Sequence, residues 1–145
     1  MSQAYVTSRR VEFCETDAAG IVHFSWFMRY MEQAEHAFLR HLGTSVVTEL
    51  EGGWHLSWPR VHVECDYQGV ARFEDVLEIS LSVLKLGRKS VTYGFEFSQA
   101  GGIPIATGKV VAVCCKVRVG SPLESTTIPA HLGDLLLPYC VTESN

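Results

Sequence analysis

Residues 15–43, ETDAAGIVHFSWFMRYMEQAEHAFLRHLG, join a tight acid-bearing loop to one amphipathic helix. Phe27, Tyr30, Met31, Ala34, Phe38 and Leu42 recur every three or four residues, which lays an apolar stripe along one side of a helix. Arg29, Glu32, Gln33, His36 and Arg40 fall on the other faces. Ser25 is the expected N-cap, its hydroxyl accepting from first-turn amides, and Gly43 stands where a C′ glycine ends a helix. Asp17, in the small-residue run Thr16-Asp17-Ala18-Ala19-Gly20, puts a carboxylate just upstream of that helix start.

Outward from this stretch the chain reads as strands. Val6 to Cys14 has the residue types of a first strand, with Val11 and Phe13 on one face. Beyond the Gly52-Gly53 break, Trp54 to Tyr67 alternates Val61, Val63, Cys65 and Tyr67 with Arg60, His62, Glu64 and Asp66. Pro59 has no amide hydrogen for a ladder, so this strand belongs at a sheet edge or a bulge. Leu77, Ile79, Leu81 and Val83 alternate with polar residues, as do Val91, Tyr93, Phe95 and Phe97, with Gly87-Arg88-Lys89 turning between them. Gln99-Ala100-Gly101-Gly102 is a hairpin connection, and Ile103 to Val119 is one long strand or a bent pair. A short helical turn is expected near Ala130 to Leu137. One apolar helix and one sheet with an apolar face must bury each other, which predicts a single α+β domain over residues 1–145, a curved antiparallel five-stranded sheet wrapped around the helix.

Composition narrows the function. The net charge of −4 over 145 residues argues against a nucleic-acid partner, whose footprint is a basic face. No apolar run reaches membrane-spanning length and the N-terminus lacks an apolar leader core, so no membrane association and a cytoplasmic location are expected. The five cysteines show no metal-type spacing and read as small apolar residues of a reducing compartment. His62, Glu64 and Asp66 share a strand face without a second ligand cluster, so neither a metal nor another cofactor is expected. The unpaired apolar edge at Trp54 to Tyr67 is best protected by a second copy, as a homodimer or homotetramer.

The run Phe13-Cys14-Glu15-Thr16-Asp17-Ala18-Ala19-Gly20-Ile21-Val22 resembles the hotdog-fold acyl-CoA thioesterases of the 4-hydroxybenzoyl-CoA thioesterase-like family. Tyr30 and Glu32, Phe73-Glu74-Asp75-Val76-Leu77 and Arg88-Lys89-Ser90 add to the likeness, which covers about Val6 to Val119. It implies hydrolysis of an acyl-CoA thioester at subunit interfaces, with Asp17 the catalytic carboxylate and the backbone N–H near Phe24 polarising the carbonyl. His23 stands where the family commonly has Tyr or Trp, and Phe24 where many bacterial relatives have His or Tyr; both border the acyl pocket and bear on the substrate.

The chemistry fits these residue types. A carboxylate attacks the carbonyl or activates water, and unpaired amides at a helix start receive the developing oxyanion. On spacing alone, Asp17 equally well caps a local turn. His23 is a second acid–base or donor candidate, or simply a histidine packed beside the helix start. Glu32 and Glu35 are rival catalytic carboxylates, since another hotdog thioesterase group uses a helix glutamate; otherwise they make helix-surface or interface contacts. Arg88, Lys89 and Ser90 suit the phosphates of CoA, or form a solvated turn. Trp26, Trp54 and Trp58 line an aromatic acyl pocket or pack in the core. The leading substrate is an aromatic acyl-CoA of the hydroxybenzoyl or dihydroxynaphthoyl type. The alternatives are aliphatic acyl-CoA or acyl-carrier-protein thioesters, or a non-catalytic module that binds acyl thioesters.

Overall fold

A single long helix lies across the inner face of an antiparallel sheet in the computed structural model, which describes residues 2–141. In chain order the elements are β1 (Tyr5–Arg10), α1 (Trp26–His41), β2 (Thr48–Glu49), β3 (His55–Ser57), β4 (Arg60–Tyr67), β5 (Val76–Leu86), β6 (Ser90–Gln99), β7 (Ile103–Val113), β8 (Cys115–Val117), β9 (Glu124–Ser125) and α2 (Ala130–Leu136). The main sheet has five antiparallel strands, as expected, in the order β1-β5-β6-β7-β4, with β1 and β4 at its edges. A second, four-stranded sheet, β2-β3-β8-β9, was not foreseen.

Periodicity explains which faces meet. Phe27, Tyr30, Met31, Ala34 and Phe38 of α1 are buried against Leu77, Ile79, Leu81 and Val83 of β5 and Val91, Tyr93, Phe95 and Phe97 of β6. Burying each large side chain of this set is worth about 1.5–3 kcal/mol, so this interface carries the fold. Helix α1 stops at Gly43, whose φ of +82° is the left-handed C′ conformation. Leu132 and Leu136 of α2 join the core, and in the 3-10 turn that follows Tyr139 is edge-on to Phe38 at 4.7 Å.

Two features depart from the expected strands. The first strand ends at Arg10, and Phe13–Glu15 is a 3-10 turn that leaves Phe13 exposed rather than facing the core. The chain must curl there because Glu15, not Phe13, is drawn inside. The stretch Trp54 to Tyr67 splits at Pro59 into β3 and β4, and β4 takes the edge of the main sheet with a bulge between Arg60 and His62. Likewise the last long strand bends at Cys114 and passes from the main sheet into the second as β7 and β8.

Glu35 is also not on the surface. It is buried among Tyr93 and the helix neighbours and pairs with the Arg60 guanidinium, which in turn donates to the Trp58 carbonyl at 2.6 Å. Burial outweighs the attraction of Arg60 and pushes the Glu35 carboxyl up to about 7, with Glu32 adding to the rise. A carboxyl whose pKa is raised on folding stabilises the fold below its unfolded value and loses that contribution as pH climbs through the folded value. Between pH 4.5 and about 7 the fold should therefore lose roughly 3 kcal/mol at about 1.36 kcal/mol per pKa unit. Denaturant melts across that window should show the slope in the native chain and a flattened one in Glu35→Gln.

Candidate active site

The acid loop is a miniature hairpin. Thr16 bridges to Val22, the Asp17 amide donates to the Ile21 carbonyl at 2.9 Å, and the Gly20 amide returns to the Asp17 carbonyl at 2.9 Å. Gly20 has φ +78°, a conformation that an L side chain resists, so the four-residue turn requires it. The Asp17 carboxylate accepts the Ala19 amide at 2.8 Å through Oδ1 and is otherwise unpartnered among the described residues. Asp17 is half-buried and faces a cavity of about 490 Å³.

The cavity walls are apolar: Ile21, Val22, Phe24, Phe27, Val70 and Ala71. Its far side is the loop after β4, where the Gln68 and Gly69 amides both donate to the Ile105 carbonyl at 2.9 and 3.0 Å. That close approach needs a glycine, because a Cβ at Gly69 would stand 2.8 Å from the Pro104 carbonyl oxygen. Tyr67 closes the rim, and its hydroxyl donates to the Phe24 carbonyl at 2.9 Å. Burial and the neighbouring Cys65 push the Tyr67 hydroxyl up to about 12, so it remains a donor at ordinary pH.

The helix start supplies the complementary group. The His23 carbonyl accepts from the Trp26 amide at 2.9 Å and so points along the helix. In a trans peptide the following N–H is antiparallel to that carbonyl, so the Phe24 N–H is directed away from the helix body. It has no hydrogen-bond partner among the described residues. The cap itself differs from expectation: the Ser25 hydroxyl caps no amide and instead lies 2.8 Å from His23 Nδ1. His23 Nδ1 also accepts the Ser25 amide at 3.3 Å, and its ring stacks on Phe24 at 4.4 Å. His23 is therefore turned into the local structure and does not line the cavity.

Glu15 organises both halves, and neither pattern nor spacing flagged it. It is 1% exposed. Its Oε1 accepts from the Tyr30 hydroxyl and the Glu12 amide, both at 2.8 Å, and its Oε2 pairs with Arg9. Its backbone carbonyl accepts the His23 amide at 2.8 Å. One residue thus ties β1, α1, the Asp17 turn and the residue before Phe24 together. Burial and the Glu15 charge raise the Tyr30 hydroxyl well above its usual range, so it stays protonated and donating.

The other candidates lie elsewhere. Arg88, Lys89 and Ser90 sit at the opposite end of the sheet: Ser90 pairs with Val113, at the end where β4 begins, whereas Tyr67, at the end of β4, borders the cavity. The eight residues of β4 separate these ends by roughly 23 Å at about 3.3 Å per residue. Trp58 is in the core, Trp26 lies against Tyr30, and Trp54 stands on the second sheet, so no tryptophan lines the Asp17 cavity. On the outer face Glu64 contacts Lys109 at 3.3 Å and His62 at 3.4 Å.

Residues 19–106 match the family described as the thioesterase superfamily. A 1,4-dihydroxy-2-naphthoyl-CoA hydrolase of Synechococcus elongatus is 31% identical over 134 residues, covering 91% of this chain and 94% of that protein. The structure of a gentisyl-coenzyme A thioesterase superposes with a TM-score of 0.78 at 29% identity, over 91% of this chain and 99% of that one. A 4-hydroxybenzoyl CoA thioesterase mutant, complexed with 4-hydroxybenzoyl CoA, shares the fold at a TM-score of 0.78 and 21% identity, over 93% of this chain and 99% of that one.

Removing the Glu15 carboxylate should strand the Tyr30 hydroxyl, the Glu12 amide and Arg9. Glu15→Ala is expected to lose about 3–5 kcal/mol of stability, as for breaking a buried pair from one side. Glu15→Gln keeps an acceptor and should lose less. Urea denaturation of both variants checks the order; equal losses would mean that the charge, not the acceptor geometry, holds the loop.

Proposed function

The chain belongs to the thioesterase superfamily and is a thioester hydrolase, and on that premise we propose that it hydrolyses an aromatic acyl-CoA at Asp17. The observation that carries this reading is that Asp17, with a nearly unpartnered carboxylate, and Phe24, whose amide is unpartnered among the described residues, line one largely apolar cavity. The acyl group enters between Phe24, Phe27 and Tyr67, whose rings suit a flat aromatic group. Its carbonyl oxygen takes the Phe24 N–H, where the positive end of the helix dipole favours the developing negative charge. Asp17 either attacks the carbonyl carbon, expelling the CoA thiolate and leaving an aspartyl–acyl anhydride that water then hydrolyses, or draws a proton from a water that attacks the carbonyl and expels the thiolate. Both routes need the carboxylate ionised and close to the carbonyl. His23 is a support of the helix start on this reading, held by Ser25. The hydrolase and thioesterase named above, which act on dihydroxynaphthoyl-CoA and gentisyl-CoA, favour a hydroxylated aromatic acyl group.

The same reading requires more than one copy. β4 is an edge strand with Val61, Val63 and Tyr67 exposed, and antiparallel pairing with the β4 of a second copy would cover it. In such a pair the beginning of one β4 meets the end of the other. The Arg88-Lys89-Ser90 turn of the second copy then comes to the end where Asp17 lies, which suits a CoA whose phosphates are bound by one subunit and whose acyl group is opened by the other. The five free cysteines favour a reducing compartment and hence the cytoplasm, and the one contiguous core favours a single domain. No helix among the described residues is long and apolar enough to cross a membrane.

Two experiments test these readings. Asp17→Asn keeps size and turn capping but is neither base nor nucleophile, so hydrolysis of benzoyl-CoA and hydroxybenzoyl-CoA should fall by on the order of a hundredfold or more. Glu32→Gln serves as the control and should retain activity; near-normal turnover in Asp17→Asn would remove Asp17 from the chemistry. Val63→Asp, placed on the exposed edge of β4, should convert a sedimenting dimer or tetramer into a folded monomer with little activity. A fully active monomer would sink the two-copy site.

A further inference from the structure

The turn that leads into α1 is capped by a residue of unusual type. The His23 carbonyl accepts the Trp26 amide at 2.9 Å, so His23 opens the turn from which the helix continues. Its Nδ1 accepts the Ser25 amide at 3.3 Å and lies 2.8 Å from Ser25 Oγ. A side chain that accepts from the amide two residues on is the arrangement of an N-cap or an Asx turn, where Asn, Asp, Ser or Thr ordinarily supplies an oxygen. Here an imidazole supplies the lone pair. A backbone N–H can only donate, so a ring nitrogen that accepts from it carries no proton. The Ser25 hydroxyl is then a donor to Nδ1 as well, and the neutral ring holds its proton on Nε2.

We infer that His23 is a positioning residue for the Phe24 amide, working as a neutral acceptor through Nδ1 and not as an acid or base. It rests on the acyl-CoA reading above, in which that amide receives the carbonyl oxygen, and it names what holds the amide still. The backbone around Phe24 is fastened on every side. The His23 amide donates to the Glu15 carbonyl at 2.8 Å, the Phe24 carbonyl accepts the Tyr67 hydroxyl at 2.9 Å, and the Ser25 amide goes to the His23 ring. That ring also stacks on the Phe24 side chain at 4.4 Å. From His23 to Trp26 the Phe24 amide is the one backbone donor left without a partner among the described residues. Without the Nδ1 acceptor the Ser25 amide becomes a second loose donor, and the peptide plane after Phe24 loses its anchor. A donor that must meet a developing oxyanion contributes through preorganisation, which that loosening removes. A Tyr or Trp ring at position 23 stacks equally well but offers no acceptor at the place of Nδ1, so the cap is specific to histidine. His23 does not line the Asp17 cavity, which leaves it no direct contact with an acyl group there.

The test is a substitution series on the intact chain, read by kinetics on benzoyl-CoA and by nitrogen-15 spectra of the ring. Asn sets its side-chain oxygen where His has Nδ1 and closes an Asx turn on the same amide. Gln is one methylene too long for that turn and places its amide near the position of Nε2, and Phe keeps the ring without an acceptor. His23→Asn should keep kcat within about twofold, whereas His23→Gln and His23→Phe should lose about tenfold in kcat at unchanged KM. In mildly alkaline buffer, where an ordinary imidazole is neutral, the native chain should show Nδ1 bare and Nε2 protonated. Hydrogen exchange at the Ser25 amide should be slow in the native chain and in His23→Asn, and fast in His23→Phe. A protonated Nδ1 overturns the inference, and so does full kcat in His23→Phe. Rescue by Gln but not by Asn overturns it too, since the ring then acts through Nε2, as does a raised KM at unchanged kcat. Should His23→Phe not fold, the ring spectrum and the contrast between Asn and Gln decide. If the native chain opens no CoA ester, the hydrolase reading fails, while the ring spectrum and Ser25 exchange still decide whether His23 caps the turn.

Discussion

The molecule depends on a carboxylate that water does not reach. Glu15 is inside because four groups from three separate segments are aimed at it: Arg9 from β1, the Glu12 amide from its own turn, and Tyr30 and the His23 amide from the helix and its approach. Burying a charge is costly unless every lone pair is used. Here the cost is offset by charge-assisted bonds, and the constraint then runs outward. With both its side chain and its carbonyl engaged, Glu15 leaves the next residues one short path back to Val22, and Asp17 is carried to the turn of that path.

The second buried carboxylate works by a different balance. Glu35 has one strong partner, Arg60, where Glu15 has three side-chain bonds, and burial accordingly dominates its protonation. The two acids also fasten different ends of α1. Glu15 holds its beginning to the acid loop through Tyr30, and Glu35 holds its later turns to the first residue of the edge strand. The apolar stripe alone would let the helix slide or roll along the sheet; two polar tethers at different points remove that freedom. They are specific where the hydrophobic contact is not.

The apolar half of this architecture was legible in the residues. The three-and-four spacing from Phe27 to Phe38, the alternation of Leu77 to Val83 and Val91 to Phe97, and the missing amide of Pro59 report local periodicity, and each became the face or edge expected. The location of Asp17 beside the helix start was legible too, through its motif. What stayed hidden depends on distant partners. Glu15 reads only as part of the loop motif, and Glu35 as a rival catalytic acid or a helix-surface or interface residue, because nothing local shows an arginine arriving from β1 or β4. Ser25 has the right type for a cap, yet His23 two residues earlier competes for its hydroxyl. Phe13 reads as a core residue of a strand until Glu15 curls the chain and turns it outward.

The separation of Asp17 from Arg88 and Lys89 has a simple cause in the meander. A turn between consecutive antiparallel strands falls at alternating ends of a sheet, and the β5–β6 turn falls at the end away from the acid loop. No rotamer of an arginine spans a strand of eight residues. A long bipartite substrate can still be held, provided a two-fold axis sits beside the edge strand, because antiparallel pairing interchanges the two ends. The unprotected edge is a liability in a lone subunit. In an antiparallel pair it would bring one copy's Arg88-Lys89 turn to the end where the other copy's Asp17 lies. The exposed valines of β4 and the distance from Asp17 to the Arg88-Lys89 turn both follow from the topology, which leaves β4 at the edge and sends the β5–β6 turn to the end of the sheet away from the acid loop.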